Sequence, residues 1–143
     1  MRHMIMAIAI ATTACSTEPD TERVVGIIDA DPSTSTIVAP DTVQAGVRFA
    51  ATVNTFGSSN CTAPDGVDLT LEAAAALVIP YDRVLVNPDD GACTADLAPQ
   101  PHRVDLLFTA PGEASIVVEG RVFTPTSNVT IPGTATKAVV VLP

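Results

Sequence analysis

In Val47-Arg48-Phe49-Ala50-Ala51-Thr52-Val53-Asn54-Thr55 the apolar residues recur at every second position. Val47, Phe49, Ala51 and Val53 share one face, and Arg48, Thr52 and Asn54 share the other. That period belongs to a half-buried antiparallel strand and not to a helix. The same pattern returns near the C-terminus. Arg103-Val104-Asp105-Leu106-Leu107-Phe108 alternates, Ala110-Pro111-Gly112-Glu113 turns, Ala114 to Phe123 runs back, and Thr134 to Leu142 closes the domain. Thr36 to Ala39 and Val67 to Leu71 add further strand signals, with turn residues between them. Short strands at this spacing predict an all-β chain built as a sandwich or barrel.

Helix competes in one place, Asp68 to Ile79, where four consecutive alanines follow Glu72. Alanine favours helix, but Leu77-Val78-Ile79-Pro80-Tyr81 is rich in strand formers and ends at a proline, so a strand pair with a short turn is the better expectation. Arg83 to Val86 continues as strand, and Asn87-Pro88-Asp89-Asp90-Gly91 is a strong turn cluster leading to Cys93. From there a long loop is expected as far as Pro101. His102, between Pro101 and Arg103, is read as an exposed loop residue.

Composition agrees with an all-β reading. The chain has 143 residues, twelve of them proline, with four Phe, one Tyr and no Trp. Its core is therefore aliphatic, and its length suits one domain. Asp41-Thr-Val-Gln-Ala-Gly-Val-Arg-Phe49, together with Pro111-Gly-Glu-Ala-Ser-Ile-Val-Val-Glu-Gly120, resembles the immunoglobulin-like modules of bacterial surface proteins. The resemblance spans residues 35 to 143 and implies a single antiparallel immunoglobulin-like β-sandwich. The inter-sheet disulfide and buried Trp of antibody domains are missing, so the broad sandwich class is what carries over.

Charge narrows the partners. Sixteen Asp and Glu stand against seven Lys and Arg, and Arg23, Arg48, Arg83, Arg103, Arg121 and Lys137 are scattered singly. Nucleic-acid binding needs basic residues gathered on one face, so no nucleic-acid partner is expected. The acidity serves solubility.

Of the three cysteines, Cys61 and Cys93 form an even pair once Cys15 is set aside, and a disulfide between them is expected in an oxidising compartment. Closing a loop of about 33 residues removes roughly 3 to 4 kcal/mol of chain entropy from the unfolded state. Each cysteine follows the end of a strand running the same way, so the bridge would staple two neighbouring loops at one pole of the sandwich. A metal site or a reactive thiol needs partners that the sequence does not gather around them.

The N-terminus, Met1-Arg-His-Met-Ile-Met-Ala-Ile-Ala-Ile-Ala-Thr-Thr-Ala-Cys15, resembles a bacterial lipoprotein signal. Arg2 supplies the positive start, Met4 to Ala11 the apolar stretch, and small residues precede Cys15. Thr12 stands where Leu is usual in that family. The apolar stretch is too short to span a bilayer, which takes about 20 residues. The resemblance implies a signal peptide at 1–14, lipid attachment at Cys15 and a membrane partner through that lipid. Ordinary signal peptidase cleavage, releasing a soluble protein, also suits Thr12 and Ala14. Ser16 after Cys15, in place of Asp, points toward the outer membrane. Residues 15–34 then read as a lipidated cysteine and flexible tether, within which Val24 to Ile28 is either a first strand or a segment docked on the domain edge.

No catalytic residue emerges. Gly-x-Ser-x-Gly, His-Glu-x-x-His, a phosphate-cradling glycine loop and the EF-hand spacing are all missing from the sequence. Asp65 with Asp68, and Asp89 with Asp90, carry oxygens of the kind that ligate Ca²⁺, but turn formation accounts for them, and no metal or cofactor is expected. Asn60-Cys61-Thr62 and Asn128-Val129-Thr130 match the glycosylation sequon by chance in a bacterial setting. The sequence therefore predicts a non-catalytic envelope lipoprotein that presents an immunoglobulin-like module to protein or glycan ligands. The alternative is a soluble secreted or periplasmic accessory or inhibitor domain of an enzyme.

Overall fold

A computed structural model describes residues 20–29, 31, 33–87, 92–124 and 129–143. The described chain is strand and turn: β1 (Thr21–Val25), β2 (Ile37–Val38), β3 (Thr42–Gln44), β4 (Phe49–Gly57), β5 (Thr62–Leu71), β6 (Ala75–Leu85), β7 (Ala98–Leu106), β8 (Gly112–Thr124) and β9 (Val129–Leu142). A six-stranded sheet runs β1-β6-β8-β9-β3 with β5 on the other side of β6, and a three-stranded sheet runs β2-β4-β7. Most pairs are antiparallel, but β6–β8 and β3–β9 are parallel. The purely antiparallel expectation is thus corrected to a mixed large sheet.

The period-two pattern accounts for the core. Ala51, Val53 and Thr55 of β4 face inward, as do Val104 and Leu106 of β7, and they meet Val78, Ile116, Val118 and Val139 of the large sheet. Phe108 is fully buried, and its ring centroid lies 5.5 Å from that of Phe49. The alanine run forms strand because Ala76, Val78 and Pro80 alternate inward along β6. Pro80 falls where pairing with β8 has ended at Val78 and pairing with β1 begins at Tyr81, a position that needs no donor. Val47, expected on the buried face, lies outside β4 and is exposed.

The segment expected as tether belongs largely to the fold. β1 pairs with β6, and the chain then crosses from the large sheet to the small one. Gly26 N–H donates to Pro80 O at 2.9 Å, Ile28 N–H to Arg121 O at 2.8 Å, and Phe56 N–H to Ile27 O at 2.8 Å. Ile28 ends fully buried in the core. The crossing is tight enough to demand glycine, since a Cβ at Gly26 would stand 2.3 Å from Thr55 Cγ2. Residues 21–28, ahead of the expected domain start at 35, are therefore part of the sandwich.

The strands run between two poles. At one lie Asp20, the ends of β4, β6 and β8, and the starts of β5, β7 and β9. At the other lie Ala45 to Arg48, the Ala73–Ala74 turn, Leu107 to Pro111 and the last residues of β9.

Candidate functional site

Three polar side chains meet inside the core. Thr55 comes from β4, His102 from β7 and Asp82 from β6, so two belong to the small sheet and one to the large. Their exposures are 0%, 3% and 2%. Asp82 Oδ1 lies 2.8 Å from Thr55 Oγ1 and 3.0 Å from His102 Nε2, and Thr55 Oγ1 lies 3.1 Å from the same nitrogen. The set is satisfied when Thr55 O–H and His102 Nε2–H both donate to Asp82 Oδ1. Among the described residues, no buried side-chain nitrogen or oxygen lacks a partner.

These are the residue types of a nucleophile, base and acid, but the geometry is different. A catalytic relay places the nucleophile on one imidazole nitrogen and the acid on the other. Here Thr55 and Asp82 share Nε2, and burial leaves the hydroxyl no room to meet a substrate. What the arrangement does is join the sheets through a fully bonded polar contact in a low-dielectric interior, where each bond is strong and each loss is costly. Beside it a cleft of about 360 Å³ opens between Val24, Phe56, Val84, Leu97 and Arg121, with Asp82 among its walls.

His102 is the clearest departure from expectation. It is not an exposed loop residue but a buried one, because the strand β7 starts at Ala98 and continues the inward alternation of Gln100, His102, Val104 and Leu106. The two prolines suggested a loop. They sit instead on the outward side of an edge strand, where a missing N–H costs no ladder bond. The period from Gln100 to Leu106 was the available signal.

Cys61 and Cys93 are joined, with S–S 2.09 Å and Cα–Cα 5.6 Å. Cys61 is buried and Cys93 exposed. The bridged loops are tied further by Thr94, whose N–H donates to Asn60 Oδ1 at 2.9 Å and whose hydroxyl bonds Asp96. Ser59 N–H also donates to Asp96 Oδ1, at 3.2 Å. The Thr94 hydroxyl first, and then Ser59, hold the Asp96 carboxyl below its usual 3.8.

Of the acidic groups considered as cation ligands, Asp65 and Asp68 have other partners. Asp65 faces Arg23 at 3.7 Å and Arg83 at 3.4 Å. Asp68 accepts the Tyr81 hydroxyl at 3.1 Å, and the Arg23 guanidinium lies 3.5 Å over the same ring. Asp89, Asp90 and Cys15 lie outside the described residues. Among the described residues, no three His, Cys, Asp or Glu side chains gather as a metal site, and no helix is long and apolar enough to cross a membrane.

No protein-family model matches the chain, and no curated protein or solved structure matches it either.

Proposed function

We propose that the chain is a membrane-anchored envelope lipoprotein whose immunoglobulin-like β-sandwich serves interaction and not catalysis. The observation that carries the anchoring is the signal-like run from Met1 to Cys15, and the position of Asp20 then sets the orientation. The Asp20 carbonyl accepts Val86 N–H at 3.0 Å, next to the Leu85–Cys61 contact, so Asp20 lies at the disulfide pole. From Cys15 to Asp20 the chain reaches at most about 18 Å even when fully extended. A lipid on Cys15 therefore holds the disulfide pole toward the bilayer and turns the opposite pole outward. The bridged loops become a membrane-side brace, and a protein or glycan ligand meets the far pole or the flanks. The sealed Thr55–Asp82–His102 contact supports a non-catalytic reading, since its chemistry is spent on holding the sheets together. Two sheets around one aliphatic core support the immunoglobulin-like assignment.

The test is the intact mass of the full gene product in the membrane and soluble fractions of a bacterial host, before and after thiol reduction. Cleavage before Cys15 with added lipid is expected in the membrane fraction, with two hydrogens gained on reduction. An unlipidated soluble product would overturn the anchoring.

A further inference from the structure

A strand at the margin of a sheet turns one row of backbone N–H and C=O groups outward, and proteins blunt that row with proline, bulges or charge. Among the described residues three long margins are present, and two carry proline in the outward row. On β7, residues 54 and 56 of the neighbouring β4 donate away from it, to Thr36 O and Ile27 O. Their partners Pro99 and Pro101 therefore face outward, and both lack an N–H. On β9, Val140 N–H donates to Asp41 O, away from β8, which makes the even-numbered residues the outward set and places Pro132 in it. Lys137 adds a charge on the core-side face of that strand, paired with Ile116.

The first half of β5 is blunted in the same manner, by Pro64 and by an irregularity before Val67. Its second half, Val67-Asp68-Leu69-Thr70-Leu71, carries no such device on its outward positions. Glu72 N–H donates to Ala75 O, so Thr70 and Asp68 turn their backbone groups to β6, and Val67, Leu69 and Leu71 turn theirs outward. Among the described residues β5 pairs only with β6. Leu69 and Leu71 remain 37% and 40% exposed, on the side of the sheet that carries the core.

We propose that Val67–Leu71 pairs with the same segment of a second copy of this chain, the two strands running antiparallel about a two-fold axis at Leu69. The segment is complementary to itself in that register. Leu69 meets Leu69 of the second copy and Val67 meets Leu71, so the exposed apolar side chains cover one another. On the other face Asp68 lies across from Thr70. Charge selects this register over its neighbours: centring on Asp68 sets two Asp68 carboxylates opposite each other, and centring on Thr70 sets Asp68 opposite Glu72, both unfavourable. Each of the three outward residues finds a hydrogen-bonded partner, giving about six interchain bonds in an isologous contact. Five residues of strand bury less than the roughly 1,200 Å² of a stable interface, so the dimer is weak and concentration-dependent. The formal net charge of −9 on each copy makes it stronger as salt rises. The inference does not depend on membrane anchoring.

The experiment is sedimentation equilibrium of the full chain from about 10 μM to 1 mM, the range suited to a contact this small, with amide hydrogen exchange on the same samples. The expected result is a monomer–dimer equilibrium in which exchange at Val67, Leu69 and Leu71 slows about tenfold across the range, while the outward amides of Arg103 and Asp105 on β7 do not change. Leu69→Pro removes an outward N–H that β6 does not use, and is expected to abolish the dimer with the Cys61–Cys93 bridge retained. Should that variant fail to fold, the exchange pattern of the unaltered chain decides alone. A chain that stays monomeric throughout, or a dimer that protects other amides, overturns the proposal. So does protection of these three amides only on adding an extended peptide, which assigns the edge to a different partner.

Discussion

Asp82 holds two donors at once, which makes it the residue whose loss the core tolerates least. Asp82→Ala strands both the Thr55 hydroxyl and the His102 ring nitrogen in the interior, and is expected to cost about 3 kcal/mol in chemical denaturation. Thr55→Val keeps the shape and leaves the Asp82–His102 contact in place, so about 1 kcal/mol is expected. Equal losses in the two variants would contradict the arrangement of Asp82 as the common acceptor. Gly26→Ala drives a methyl into Thr55 and the Asp82 carboxylate, and a loss of about 2 to 3 kcal/mol is expected from overpacking. Of this residue-scale picture the sequence made little legible. Thr55 was placed in a strand, but a threonine on an inward position does not announce what it meets. Asp82 and His102 are twenty residues apart, and only the packing of one sheet on the other makes them neighbours.

At the scale of elements, alternation carried the reading where it was uninterrupted and failed where proline broke its appearance. β4 and β8 follow the polar–apolar period, whereas β6 is apolar on both faces from Ala75 to Tyr81, and the alanine run adopts strand because β6 has neighbours on both sides. The first half of β7 reads as loop because Pro99 and Pro101 hide the start, at Gln100 and His102, of the inward series that Val104 and Leu106 continue as legible strand. Thr21-Glu22-Arg23 of β1 is polar and reads as tether, while Val24 onward reads equally as strand or docked segment, because the pairing of β1 with β6 is a long-range fact. The bridged loops make two measurable statements. Reducing Cys61–Cys93, 32 residues apart in sequence, is expected to remove about 3 kcal/mol of stability, read as a lower denaturation midpoint in reductant. Asp96 has a lowered carboxyl pKa in the folded chain, so its contribution is present above 3.8 and is lost as pH falls through the lower folded value. Asp96→Asn is expected to flatten the acid limb of the melting-temperature profile, and an unchanged limb would mean that the loop contact does not hold in solution.

For the whole molecule, a formal net charge of −9 on 143 residues means that like charges crowd its surface. Raising monovalent salt from about 0.01 M to 0.15 M shortens the screening length from about 30 Å to 8 Å and is expected to raise the melting temperature. The N-terminal crossing at Gly26 to Ile28 has a different consequence, one of timing. Ile27 bridges to Phe56 on one side and to Arg121 on the other, so this segment waits for β8, far later in the sequence, before it can settle. Contacts so distant in sequence make folding slow, and a partly emerged chain cannot close its two sheets on each other. Such a chain stays threadable for as long as β8 is withheld, the state that any pore narrower than the folded sandwich requires.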